Sequence, residues 1–372
     1  MKKNIIYILL LCTIFTACKK DKPSENLPFR TVLLYLAANN NLSNEAYDNL
    51  NQLEDNIGNI DGNLIIYTKL PGQNAALYQI KNNNGQRQKI KIKDYPIQNS
   101  SDANILRQVI SEVQQSYPAQ SHGLILWSHA TGWIPTNISG IKLKSFGDDG
   151  GRKMDIKDLN NAIPNKLDFI MFDACSMASL EVLYELKDKA NYFIASPGEV
   201  IANGMPYSKI VNDLFTKGTQ AYTTIAKKYF DHYNAMSGPY RSATISVIDA
   251  TKLEELAQKT KQLIESQTPL HNDYKRDQIQ RMDFDRYDNP LIAFDFLDFI
   301  ETNYNNNNVA NLKSTIQNTI VYKANTPLFN GFEIKTNSGL TTYIPNIENE
   351  NSVHDYYRTL KWYQASGYNK LF

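Results

Sequence analysis

The sequence predicts an α/β sandwich, a mainly parallel sheet covered by helices on both faces, followed by a helical and β extension at the C-terminal end. Two observations carry this. From Phe29 to about residue 268, short β-branched and aromatic runs alternate with amphipathic helical patterns, as crossover connections between parallel strands require. Two of the runs, LILW at Leu124–Trp127 and FIMF at Phe169–Phe172, are apolar at every position. A strand buried on both faces needs that pattern.

Ahead of the fold, Met1-Lys2-Lys3 is a basic start and Ile5–Phe15 an apolar core too short for a stable bilayer span. Thr16-Ala17-Cys18 then offers small residues before a cysteine, the form of a bacterial lipoprotein signal. The expectation is removal of residues 1–17, lipidation of Cys18, and a polar tether over 18–28 (KKDKPSENLP after the cysteine) that anchors an exported domain to the cell envelope, at the outer membrane or cell surface. An ordinary secretory signal is the alternative, since Phe15 is a less usual residue three before the cysteine. Of the three cysteines, Cys12 leaves with the signal and Cys18 carries lipid, so Cys175 is the one free thiol and a disulfide is excluded by count. Losing Lys2 and Lys3 with the signal turns the formal charge from +1 to −1, which gives no electrostatic footprint for nucleic acid.

The elements follow in order. Strand Thr31–Ala37 leads to a helix over Asn44–Asn56 and strand Asn63–Lys69. A hairpin is expected from Ala76–Ile80 and Lys89–Ile92 around Asn82-Asn83-Asn84-Gly85. Asp102 caps a helix whose apolar residues Ile105, Leu106, Val109, Ile110 and Val113 share one face. Strand Gly123–Ser128, helix Asp155–Ala162, strand Leu167–Phe172, helix Ala178–Lys187 and strand Tyr192–Ala195 complete the centre. Helices Tyr207–Phe215 and Thr219–Met236, strand Thr244–Ile248 and a helix from Lys252 come next. Residues 269–372, where the composition turns polar with many Asp and Tyr, read as a C-terminal subdomain packed on the 29–268 core. It would hold helices and a strand pair near Gly331–Lys335 and Leu340–Ile344.

In open α/β sheets the chemistry collects at the carboxyl ends of the strands. LILW runs into Ser128-His129-Ala130-Thr131-Gly132-Trp133, and FIMF runs into Asp173-Ala174-Cys175-Ser176-Met177-Ala178. A cysteine attacks a carbonyl as thiolate, and a nearby histidine takes its proton and returns it to the leaving amine. A helix opening directly after Cys175 would add its positive end. A lone buried cysteine after a strand is most simply a small core residue. Here one of only five histidines closes another predicted strand, which favours catalysis.

These residues resemble the clostripain-type cysteine peptidases. The resemblance rests on His129-Ala130-Thr131-Gly132-Trp133, Phe146-Gly147-Asp148-Asp149, Met154 before a helix, the Asp173–Ala178 box, and Ser196-Pro197-Gly198-Glu199 leading to Gly204-Met205-Pro206-Tyr207. It covers roughly residues 30–250, with a weaker echo at Phe294–Phe299. It implies a caspase-like α/β/α fold and a Cys-His dyad that cleaves after Arg or Lys through a thioester. His129 would be the general acid/base, Cys175 the nucleophile, and Asp173 an acid in the pocket for the basic residue, against the alternative that it only holds loop geometry. Glu199 is a second candidate acid. Backbone N–H groups of Ala130 and Cys175 would hold the oxyanion. Relatives usually carry Gly where this chain has Ala130, which matters if the position needs a positive φ. Self-cleavage between the catalytic residues is implied for the Gly140–Lys153 loop, with Lys144 the first candidate. No obligatory cofactor is implied. Calcium is a candidate ligand of Asp148 and Asp149, against a simple solvated turn.

His122 is expected at the surface, at the far end of its strand, and His232, His271 and His354 lack zinc-ligand spacing. The expected activity is a lipid-anchored cysteine endopeptidase acting on peptide or protein substrates with basic residues. The alternative is a catalytically weak or inactive homologue that binds peptides or surface proteins. A glycan-cleaving enzyme would need a carboxylate pair that is not recognisable here.

Overall fold

The structure is a computed structural model that describes residues 27–134, 145–267, 273–284, 293–305, 307–346, 349 and 351–371. The signal segment, Cys18 and Lys144 lie outside the described residues, as does His271. Nine strands form the main sheet: β1 Arg30–Ala37, β2 Gly62–Lys69, β3 Ala76–Asn83, β4 Gln86–Asp94, β5 Ser121–Trp127, β6 Leu167–Asp173, β7 Ala190–Ala195, β8 Thr244–Asp249 and β9 Ile320–Asn325. Their order is β9-β8-β7-β6-β5-β1-β2-β3-β4. The central five, from β7 to β2, are mutually parallel, and two antiparallel strands flank them on each side.

Helices α1 (Ser43–Asn56), α2 (Ala103–Ser116), α3 (Ile156–Ala162), α4 (Leu180–Glu185), α5 (Tyr207–Ile210), α6 (Gln220–Asn234) and α7 (Leu253–Glu265) cover the two faces. The two-residue period of a strand decides which side chain goes where. Leu33, Tyr35, Leu124, Leu126, Ile170 and Phe172 join the core under α2, α3, α4 and α7. Leu34, Leu36, Ile125, Trp127, Phe169 and Met171 join the core under α1, α5 and α6. This double coverage is why the middles of the central strands are continuous apolar runs. Each such aliphatic side chain contributes about 1.5–3 kcal/mol on burial. No helix among the described residues is long and apolar enough to cross a membrane.

Three local expectations need correction. The helix after Cys175 does not begin at Ala178: α4 opens at Leu180, where the Ser179 side chain caps the Val182 N–H. The strand pair 331–335 and 340–344 does not form. Asn330 (φ 46°) and Gly331 (φ 87°) make a tight turn that returns Phe332–Glu333 onto Leu328–Phe329. Thr341–Thr342 pairs instead with Phe294–Asp295, just before helix α8 (Phe296–Asn303). The third is an omission, the edge strand β9, which follows α9 (Asn307–Thr319) and brings the C-terminal stretch into the main sheet.

The C-terminal stretch is also tied to the segment behind Cys175. Thr341 N–H donates to the Ala178 carbonyl at 3.1 Å. The buried Glu181 carboxylate accepts from the Tyr343 N–H (2.8 Å), the Thr342 hydroxyl (3.0 Å) and the Tyr357 hydroxyl (2.8 Å). Burial pushes the Glu181 pKa up, and these three donors work against that shift.

Candidate active site

Strands β5 and β6 end level with each other. Trp127 pairs with Asp173, and the Ser128 N–H reaches the Asp173 carbonyl at 3.4 Å. His129 and Cys175 each lie two residues past that pair. Both are partly exposed, while Ser128, Ala130, Ala174 and Ser176 around them are buried. The two turns meet closely at Gly132, whose φ is +70° and where a Cβ would lie 3.0 Å from the Ser176 carbonyl oxygen. Gly132→Ala is expected to cost about 1–3 kcal/mol in backbone strain. It should also push the histidine turn off the cysteine turn and lower kcat at least about tenfold, since ångström-scale misplacement of reacting groups is costly. Paired thermal melts and peptide-cleavage kinetics check both effects.

The Cys175 sulfur lies against Val200, with the Val200 N–H at 3.3 Å and the Val200 carbonyl at 3.6 Å. The Val200 N–H can donate to the sulfur and the thiol can donate to the Val200 carbonyl, so this peptide fixes where the sulfur sits in either protonation state. The helix-end contribution expected at this position is absent, because Ser176–Ala178 form a turn before α4. That turn is laid on the next strand end: Ser176 N–H donates to Gly198 O at 2.7 Å and Ala178 N–H to Ser196 O at 3.0 Å. Ser176 holds φ +59°, a conformation costly for a residue with a Cβ. Its own side chain is buried, while Cys175 before it is partly exposed.

His129 accepts the Gly147 N–H on its carbonyl at 2.9 Å, and the Thr131 N–H donates to Ser145 O at 3.1 Å. Ala130 therefore bridges Phe146 as a non-hydrogen-bonded pair, with its own N–H and C=O turned away from Phe146. Among non-glycine described residues, positive φ occurs at Asn84, Ser176 and Asn330, so Ala130 suffers no conformational penalty. Its methyl is 3 % exposed and belongs to the core. On the imidazole, Nε2 lies 2.7 Å from the Asn41 Oδ1.

Asp173 is 4 % exposed. Its two oxygens accept from the Met205 N–H at 3.1 and 3.0 Å, and Oδ2 accepts from the Tyr207 hydroxyl at 3.0 Å. Gly204, with φ +65°, makes this fit: a Cβ there would lie 2.7 Å from Oδ1. Burial drives the Asp173 pKa up to about 6 against the pull of these donors, and no cation contributes. The same burial, with Asp173 beside it, raises the Tyr207 hydroxyl well above its ordinary range. Tyr233 donates its hydroxyl to the Gly204 carbonyl and packs edge-on against Tyr229 at 4.9 Å. It also lines a cavity of about 590 Å³ with Gln52, Asn203, Pro206 and His232. This tyrosine shell from α6 is not legible in the sequence, where its helical spacing reads simply as core.

Glu199 faces the C-terminal stretch, with Oε2 accepting the Phe284 N–H at 3.0 Å. Gly198 lies close under the same stretch, where a Cβ would be 2.9 Å from Met282 O. Asp149 accepts from Ser100 N–H (2.5 Å), Ser100 Oγ (2.9 Å) and Asn39 Nδ2 (2.5 Å), and Asp148 accepts from Gly151 N–H at 2.8 Å. These two carboxylates act as acceptors that hold loops. Among the described residues, no group of three or more His, Cys, Asp or Glu could hold a metal ion. His122 sits at the opposite end of β5 and is half-buried rather than at the surface, with burial lowering its pKa. His354 is buried against the Tyr343 hydroxyl at 3.0 Å.

The chain matches the model of the Clostripain family over residues 34–371. In structure it is similar to an inactive zymogen C11 protease from Parabacteroides distasonis, with 33% identity and TM-score 0.81 over 91% of this chain and 97% of that one. It is also similar to a secreted C11 cysteine protease from Bacteroides thetaiotaomicron in complex with an irreversible peptide inhibitor, with 30% identity and TM-score 0.80 over 92% and 99%. A cysteine protease from B. fragilis matches over 61% of this chain and 98% of that one, with 29% identity and TM-score 0.56. No curated protein matches the chain. A family match that begins within the first strand and runs to the last helical turn leaves one assignment: the chain belongs to the clostripain family of cysteine peptidases.

Proposed function

We propose that the protein is an exported endopeptidase that hydrolyses peptide bonds after Arg or Lys with Cys175 and His129. The observation that supports this is the pairing of Trp127 with Asp173, which sets the carboxyl ends of the two strands level, with His129 and Cys175 each two residues beyond that pair. His129 takes the thiol proton of Cys175, and the thiolate attacks the scissile carbonyl carbon. The N–H groups of Ala130 and Cys175 hold the resulting oxyanion. Collapse expels the amine with the proton from His129 and leaves a thioester. Water then attacks with His129 as base and frees the carboxylate product and the thiol.

The buried carboxylate of Asp173 supports the preference for a basic residue, because it lies two residues before the nucleophile with no cation of its own. Glu199 is assigned a supporting part through its bond to the Phe284 N–H. Self-cleavage at Lys144 would activate the chain, a reading supported by the zymogen named among its structural relatives. Export is supported by the relative described as secreted, and lipid attachment at Cys18 by the sequence before it.

The test is a set of fluorogenic peptides ending in Arg, Lys, Ala or Asp, given to the mature chain beside its Cys175→Ala variant. Release after Arg or Lys that needs Cys175 is the expected result. Release after Ala or Asp would remove the pocket assignment, and no release from a chain already cut at Lys144 would make the protein a peptide binder.

A further inference from the structure

Three consecutive asparagines follow β1, and each has a different task. Asn39 gives its side-chain N–H to Asp149 and accepts the Gly150 N–H on its carbonyl at 2.9 Å. Asn40 donates to the Asp148 carbonyl at 2.9 Å, and its Oδ1 accepts the Leu42 N–H at 2.9 Å. These bonds fasten the loop to the hairpin Phe146–Met154, which also receives the His129 carbonyl through Gly147. Asn41 is left at the rim, exposed, with its Oδ1 2.7 Å from His129 Nε2.

We infer that Asn41 is a positioning residue for His129, its side-chain oxygen fixing the ring and the tautomer through Nε2–H. The inference rests on the proposed Cys175–His129 chemistry and deepens it. With Nε2 as donor to Asn41, Nδ1 is the nitrogen that takes the Cys175 proton; the ring becomes imidazolium, and Asn41 holds it in place until the proton passes to the leaving amine. A histidine that must act as base and then acid needs one nitrogen committed to a fixed partner. A neutral amide does this without the extra attraction for imidazolium that a carboxylate would supply. Among the described residues, the titratable and charged groups on the hairpin and the neighbouring turn are Asp148, Asp149, Arg152, Lys153 and Cys175, and Asp149 is already committed to Ser100 and Asn39.

The experiment measures kcat, KM and their pH profiles for the mature chain and for Asn41→Ala and Asn41→Asp, together with the rate of Cys175 alkylation by iodoacetamide against pH. Misplacing a catalytic group by about an ångström costs on the order of 10²-fold. Asn41→Ala should therefore lower kcat by about 10- to 100-fold, with KM changed less than about threefold and the alkylation profile shifted. Asn41→Asp should restore most of kcat and carry the alkaline limb of the profile to higher pH, because a carboxylate favours imidazolium. A purely structural asparagine would not move that limb. A wild-type thiol no more reactive than a free cysteine would remove the Cys175–His129 reading and this inference with it. An activated wild-type thiol with an unchanged Asn41→Ala variant would remove the Asn41 inference alone.

Discussion

Cys175→Ala is expected to lower kcat/KM by about 10⁴-fold or more, the scale on which nucleophile removal acts in enzymes of this kind. The proposed path opens with a bond formed at this sulfur and closes with that bond broken, and no other described cysteine can substitute. The fold should not notice. Cys175 is partly exposed, and the turn around it is held by main-chain bonds from Ser176 to Gly198 and from Ala178 to Ser196, which alanine leaves in place. The stability change should stay within about 1 kcal/mol, as for substitutions outside a core. Cys175→Ser should be nearly as inactive, because an alcohol is far harder to ionise than a thiol and is the weaker nucleophile. The variant chain should also remain a single fragment on a denaturing gel. Peptide kinetics, a melt and that gel suffice, and a variant that cut peptides at the wild-type rate would remove Cys175 from the mechanism.

That Cys175 and His129 can be found in the sequence follows from the physics of the sheet. Strands buried on both faces are long apolar runs, their ends are sharp, and the residues just beyond them stand out. Asn41 cannot be found in that way. It is 88 residues from His129, and nothing local distinguishes an asparagine that fixes an imidazole from one that finishes a turn. Tyr229 and Tyr233 are hidden for another reason: at helical spacing an aromatic reads as core, and only the tertiary structure shows that the Tyr233 hydroxyl meets the turn beside Asp173. The left-handed Ser176 delays the helix start by two residues beyond the one expected, because a serine gives no signal of positive φ as glycine does. Strand β9 escapes sequence reading since half-exposed edge strands lack the apolar run that marks central ones.

Asp173→Asn should separate recognition from stability, in opposite directions. The folded-state pKa of Asp173 is raised from 3.8 to about 6, with burial the largest cause. For an acid shifted upward, the native state holds its proton more tightly than the unfolded chain. The associated stability is fully present below about pH 3.8 and is lost as pH rises through about 6. Above that, the ionised side chain costs the fold about 3 kcal/mol, because a tenfold change in proton affinity between folded and unfolded chain is worth about 1.36 kcal/mol. Asparagine cannot ionise, and its oxygen can still accept from Met205 or Tyr207, at a loss of about 1 kcal/mol for the bond that its NH₂ group cannot replace. Denaturation at pH 8 should therefore find the variant more stable than wild type by about 1–2 kcal/mol, with the gain gone by about pH 4. Cleavage after Arg or Lys should fall by about 10²-fold or more, as a charge-assisted bond to the substrate is lost. A gain that did not depend on pH would mean that Asp173 binds its proton equally well in the folded and unfolded chain, and retained preference for basic residues would place the pocket elsewhere. The two effects have one origin. A carboxylate buried behind Gly204 without a counter-charge destabilises the free enzyme, and on the proposed assignment a substrate guanidinium or ammonium would supply the missing charge, so that the stability cost carried in the absence of substrate would return as selectivity when a basic residue binds.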